Sequence, residues 1–115
     1  MLSEIKRIIR AFGYSIEGLR AALGESAFRT EIIISAVALP LAFIITENTA
    51  ERALLIGSLF LVMIVELLNT AVEIAINRIS LEIHPLSKKA KDVASAAVLL
   101  SLINAGIIWL VVLWN

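Results

Sequence analysis

The stretch ALLIGSLFLVMIVELLNTAVEIAI, residues 53–76, decides the fold. A helix needs about 20 residues to cross roughly 30 Å of hydrocarbon, and this run is long enough provided that its two charged residues, Glu66 and Glu73, are tolerated within it. An ionised carboxylate in a bilayer costs at least about 2.5 kcal/mol even on the most lenient insertion scale. The run therefore reads as a membrane-spanning helix that carries acids for a purpose.

Outward from it, Val93 to Trp114 forms a clean apolar span closed by Trp109 and Trp114, whose rings suit an interfacial belt. The uncharged run from Ile32 to Thr46 is short for a crossing, which predicts a helix starting near Ser26, with Arg29 and Glu31 reaching toward the headgroups and Pro40 a point for a kink. The expected organisation is a single membrane domain over residues 1–115, all α, with spans at 26–46, 53–76 and 93–114. The 60% hydrophobic content and mean hydropathy of +0.96 agree, because a water-soluble domain of 115 residues could not hide so much apolar surface.

Residues 1–24 differ. Ile5, Ile8, Ile9, Phe12, Ile16, Leu19 and Leu23 recur at helical spacing, with Lys6, Arg7, Arg10 and Glu17 off that stripe. This is the pattern of an amphipathic helix lying in the membrane surface, as one helix or as two joined near Gly13 to Ser15; a water-exposed helix packed on a loop fits the same pattern. The segment lacks the unbroken apolar run and cleavage site of a secretory signal and is expected to stay in the mature protein.

Ten basic and ten acidic residues balance, so bulk charge does not argue for a nucleic-acid partner, and with no cysteine there can be no thiolate metal site or cysteine nucleophile. Position of charge says more. Lys6, Arg7, Arg10, Arg20 and Arg29 precede the first span, Arg52 alone lies in the ENTAER connection, and Arg78, Lys88, Lys89 and Lys91 lie between the second and third spans. The positive-inside rule then places the amino terminus and the second connection in the cytoplasm and the carboxyl end outside. Ser87 is a candidate N-cap for the third helix, and Ala94, Ala97, Ser101 and Ala105 form a small-residue stripe for close helix contact.

Glu66, Asn69, Glu73 and Asn77 follow at spacings of three, four and four and so share one helix face. One carboxylate could take a proton from an alcohol while another, nearer the cytoplasm, holds a hard divalent cation. A proton or cation pathway would use the same residue types. A purely structural account pairs Glu73 with Arg78 and hydrogen-bonds Glu66 between helices. Glycine-rich phosphate cradles and kinase catalytic loops are absent, and the single His84 cannot build a multi-histidine site. Three thin helices have too little surface to enclose Glu66, Asn69 and Glu73 on every side, so an oligomer is expected.

Glu66-x-x-Asn69-Thr70-Ala71-x-Glu73 resembles the signature of the small prokaryotic diacylglycerol kinases. The likeness extends to AFGYSxxGLRAA (Ala11 to Ala22), AFRTE (Ala27 to Glu31) and HPLSKKAKDVASAAV (His84 to Val98). It implies an ATP-dependent kinase of the bacterial inner membrane that makes phosphatidic acid from 1,2-diacylglycerol for phospholipid synthesis, working as a homotrimer with shared sites. By the same resemblance Glu66 is the general base, supported by Asn69. Glu25 and Glu73 hold the Mg²⁺ that accompanies ATP. Arg7, Tyr14, His84, Lys91 and Asp92 surround the nucleotide, and Arg7, Glu31 and Ser95 lie near the lipid. The chain departs from the family pattern at Asn77-Arg78, where Asp commonly precedes Arg, and in the shortened Leu23-Gly24-Glu25 corner. Undecaprenol, the acceptor of relatives in this family, is the alternative substrate. A small ion conductor and a structural membrane subunit are the alternatives of other classes.

Overall fold

The computed structural model describes every residue from Met1 to Asn115. It contains four helices and no strand: α1 (Leu2–Ala22), α2 (Ser26–Ile45), α3 (Thr49–Ile79) and α4 (Pro85–Trp114). The last three are long and apolar enough to cross a membrane, and the chain is a multi-pass all-α membrane protein.

α1 runs unbroken through Gly13 and Gly18, so the two-helix alternative is not adopted. It is exposed on all sides until Ala22, where it meets the bundle. Its end is closed by a residue given a different task above. Arg29 does not extend to headgroups; its Nη1 donates to the Leu23 carbonyl at 2.8 Å, because the unpaired carbonyls of a helix end attract a cation.

The connection between α2 and α3 is shorter than ENTAER implies. Asn48 caps α3, its Oδ1 accepting from the Glu51 amide at 3.0 Å, and this draws Glu51 and Arg52 into the first turn. Arg52 then reaches back over the end of α2. Its Nη2 donates to the Thr46 carbonyl at 2.7 Å and the guanidinium sits 4.6 Å from the centre of the Phe43 ring.

α4 likewise begins earlier than its apolar run. His84, not Ser87, is the N-cap: its Nδ1 accepts from the Leu86 amide at 3.1 Å, and Pro85 takes the first helical position, where a missing N–H costs nothing. Lys88, Lys89, Lys91 and Asp92 thus stand on the opening turns of a helix.

At the end of the bundle where α2 connects to α3, Ala42, Leu55 and Val112 form a buried cluster with Ile45, Ile56, Ile108 and Trp109 packed on it. Trp109 is no belt residue: its Nε1 donates to Ser58 Oγ at 3.1 Å, and Ser58 donates in turn to the Leu55 carbonyl at 2.7 Å. An indole with a donor to satisfy gains more from a buried hydroxyl than from facing hydrocarbon. Trp114, 91% exposed, remains free for an interface. In the whole chain only 12 of 115 residues are buried and long apolar side chains cover the outside, a surface suited to lipid or to another copy rather than to water.

Candidate active site

Glu66 lies on the α3 face that meets α2 and is only 6% exposed. Phe28 and Thr70, both buried, share this inner part of the structure. Glu31 on α2 and Glu73 one face-repeat further along α3 come near enough to act on Glu66 electrostatically. The sequence reading sent Glu31 outward to headgroups; instead it is half-buried, drawn in because α2 packs on α3 along that side. One chain covers most of Glu66, while Asn69 and Glu73 stay half-open.

No cation neutralises this acidic face. The ion pairs of the chain are Arg7–Glu4 and Lys88–Asp92, so the pairing of Glu73 with Arg78 does not form. Asn69 Nδ2 donates to Glu73 Oε1 at 3.2 Å, and the Asn69 Oδ1 is left buried without a donor.

Beyond Glu73 the same α3 face continues to Asn77, whose Oδ1 accepts from Lys91 Nζ at 2.8 Å. Around it lies a cavity of about 240 Å³ lined by Asn77, Glu82, His84, Lys88, Lys91 and Asp92, among others. Lys88 pairs with Asp92 at 2.6 Å. The fold therefore brings His84, Lys91 and Asp92 together at the inner end of the helix that carries Glu66, Asn69 and Glu73. Sequence spacing put Asn77 on the acidic face, but its tie to Lys91 joins α3 to α4 and has no local signal.

Other expected residues are not gathered by one chain. Arg7 is exposed and paired with Glu4 at 2.9 Å, and Tyr14 is exposed further along α1. Where α1 does approach α3 it leaves a groove of about 490 Å³ between Ser15, Gly18 and Ala22 on one side and Leu67, Thr70 and Ile74 on the other. Glu25 is exposed at the α1–α2 corner, and Ser95 is exposed on α4. One residue was missed altogether. Ser35 is 4% exposed on α2 with its Oγ buried and unbonded; the only signal in the sequence is a hydroxyl four residues after Glu31 in an apolar run.

As for a metal, no three acidic or histidine side chains of the chain converge on one point. Mg²⁺ commonly takes one or two carboxylates and completes its shell with water and substrate phosphates. Glu25 at the α1–α2 corner and Glu73 on α3 are carboxylates that no cation of the chain engages.

The chain is thus a three-span helical protein with a buried, unneutralised acid on α3 and a polar pocket of mixed charge where α3 meets α4. The chain belongs to the prokaryotic diacylglycerol kinase family, whose profile matches residues 13–113. It is 49% identical over 110 residues to the diacylglycerol kinase of Escherichia coli K12, covering 95% of this chain and 90% of that protein. The Pseudomonas aeruginosa diacylglycerol kinase is 46% identical over 110 residues (95% and 89%), and that of Haemophilus influenzae 42% over 106 residues (91% and 90%).

Proposed function

We propose that this chain transfers the γ-phosphoryl group of ATP to the primary hydroxyl of a membrane 1,2-diacylglycerol, giving phosphatidic acid and ADP for phospholipid synthesis. The observation that carries the mechanism is Glu66: a carboxylate buried within a membrane span, with neither a cation nor a hydrogen-bond donor from its own chain. Phosphoryl transfer asks little covalent help of a protein; it needs the substrates held in line, the phosphate charge offset and a base for the attacking hydroxyl.

Glu66 is the base. As the lipid oxygen–phosphorus bond forms, the hydroxyl proton passes to its carboxylate and the bond from the γ-phosphorus to the ADP oxygen breaks. Asn69 holds Glu73 in place. Lys91, fixed by Asn77, and His84, with Nδ1 spent on the cap, line the inner cavity with Asp92 as the nucleotide side of the site. A bound Mg²⁺ supplies charge neutralisation to the phosphates, and Glu25 and Glu73 are the carboxylates that would hold it. Glu31 and Ser95 border the lipid side. Arg7 and Tyr14 lie on an α1 that its own chain leaves exposed, which favours a homotrimer whose neighbours complete one another's sites and cover the apolar exterior.

The distribution of Lys and Arg supports an inner-membrane chain with its amino terminus in the cytoplasm. Reporters fused after Asn115 are expected outside and those inserted between Leu81 and His84 inside; a cytoplasmic carboxyl terminus would put the site on the wrong side for ATP. Purified protein in mixed micelles, offered diacylglycerol and undecaprenol with MgATP, is expected to phosphorylate diacylglycerol preferentially. Preferential transfer to undecaprenol reassigns the acceptor, and no transfer to either lipid removes the kinase reading.

A further inference from the structure

One buried hydroxyl on α2 is left without a partner. Ser35 is a buried donor whose hydroxyl makes no hydrogen bond, and Glu66, 6% exposed as a residue, is paired with no cation. Two other buried helical serines do not share that condition: Ser58 donates to the Leu55 carbonyl at 2.7 Å and Ser101 to the Val98 carbonyl at 2.7 Å. A buried hydroxyl without a partner is uncommon enough to require a reason.

The register of the two helices supplies one. Ala42 and Leu55 pack in the same outer cluster, and Glu31 lies near Glu66 at the inner end. Eleven residues separate Glu31 from Ala42 along α2, and eleven separate Leu55 from Glu66 along α3, so the antiparallel helices keep step. Ser35, four residues after Glu31, therefore stands level with Val62, four residues before Glu66; both are buried, at 4% and 2% exposure. Helical side chains lean toward their own N-terminus, which tips the Glu66 carboxylate over the Val62 turn and toward Ser35. Lipid cannot reach an Oγ that is shut inside its own chain.

We propose that Ser35 is a positioning residue for Glu66: its hydroxyl donates to the ionised carboxylate and holds the other oxygen toward the lipid hydroxyl. This rests on Glu66 being the base. Ser35 touches neither substrate, so its loss should act on turnover and not on binding.

The test is steady-state kinetics of purified full-length protein in mixed micelles with diacylglycerol and MgATP, together with thermal melting, for S35A, S35T, S58A and E66Q. Hydrogen bonds to charged groups convert to about ten- to a hundredfold in rate, and S35A is expected to lose that much kcat while KM for both substrates and the melting temperature hold. S35T, which keeps the hydroxyl, restores kcat. S58A, which removes a buried hydroxyl from the outer end, melts earlier and turns over normally. Wild-type kcat in S35A with E66Q inactive overturns the role of Ser35 alone, as does a loss that a normally melting S35T fails to restore. Retained turnover in E66Q instead removes the base assignment itself.

Discussion

The outer and inner halves of the bundle are built from the same three helices and treat polar groups in opposite ways. At the outer end most are satisfied: Asn48 caps α3, Arg52 closes α2 through its Nη2 while its Nε stays buried without a partner, and Trp109, Ser58 and the Leu55 carbonyl form a chain of hydrogen bonds beside a tight apolar cluster. At the inner end the Ser35 hydroxyl and the Asn69 Oδ1 are buried without partners, and Glu66, 6% exposed, is paired with no cation. Unmet polar groups in low dielectric are costly, and folds that keep them do so where function requires it. The contrast assigns stability to the outer half and chemistry to the inner.

The sharpest way to break that division is Glu66→Gln. The substitution is nearly isosteric and removes a buried charge, so the melting temperature in micelles is expected to hold or rise while turnover falls by about 10² to 10⁴. Near-normal turnover in the assembled protein would erase the distinction between the halves. The mirror experiment is Leu55→Ala at the outer end. Emptying that fully buried site is expected to cost about 2 kcal/mol or more in denaturant unfolding in micelles, with little change in the kcat of the protein that remains folded.

Glu73→Gln, at the open edge of the inner half, should be milder. The Mg²⁺ concentration for half-maximal rate is expected to rise by about tenfold, since even groups that only orient a metal ligand are worth that much. An unchanged metal titration moves the ion away from α3. Smallest is Trp109→Phe, which removes one interhelical hydrogen bond worth about 0.6 kcal/mol in a membrane protein and leaves turnover unchanged. A catalytic defect in this variant would show that the two halves are coupled.

Much of the fold was legible because the bilayer imposes long-range order on local sequence. Apolar length alone marks three crossings, and the spacing of Glu66, Asn69, Glu73 and Asn77 places them on one face whatever packs against it. The motif around Glu66 brought the family within reach for the same reason: its residues are neighbours in the chain. Helix ends were less legible. Asn48 and His84 each start a helix earlier than hydropathy suggests, because capping depends on a side chain meeting a backbone amide and polar first turns leave no apolar trace.

What the sequence by itself determined, then, is the number of spans, the acidic face and the kind of chemistry it can do. What only the tertiary structure decided is which helix meets which. It drew Glu31 inward beside Glu66, tied Lys91 to Asn77, turned Trp109 onto Ser58 and set Ser35 level with the turn above the base. Each of these joins residues on different helices, and helical periodicity states only which way a side chain faces. The partner it finds there is set by how the small residues and the short connections let the helices approach.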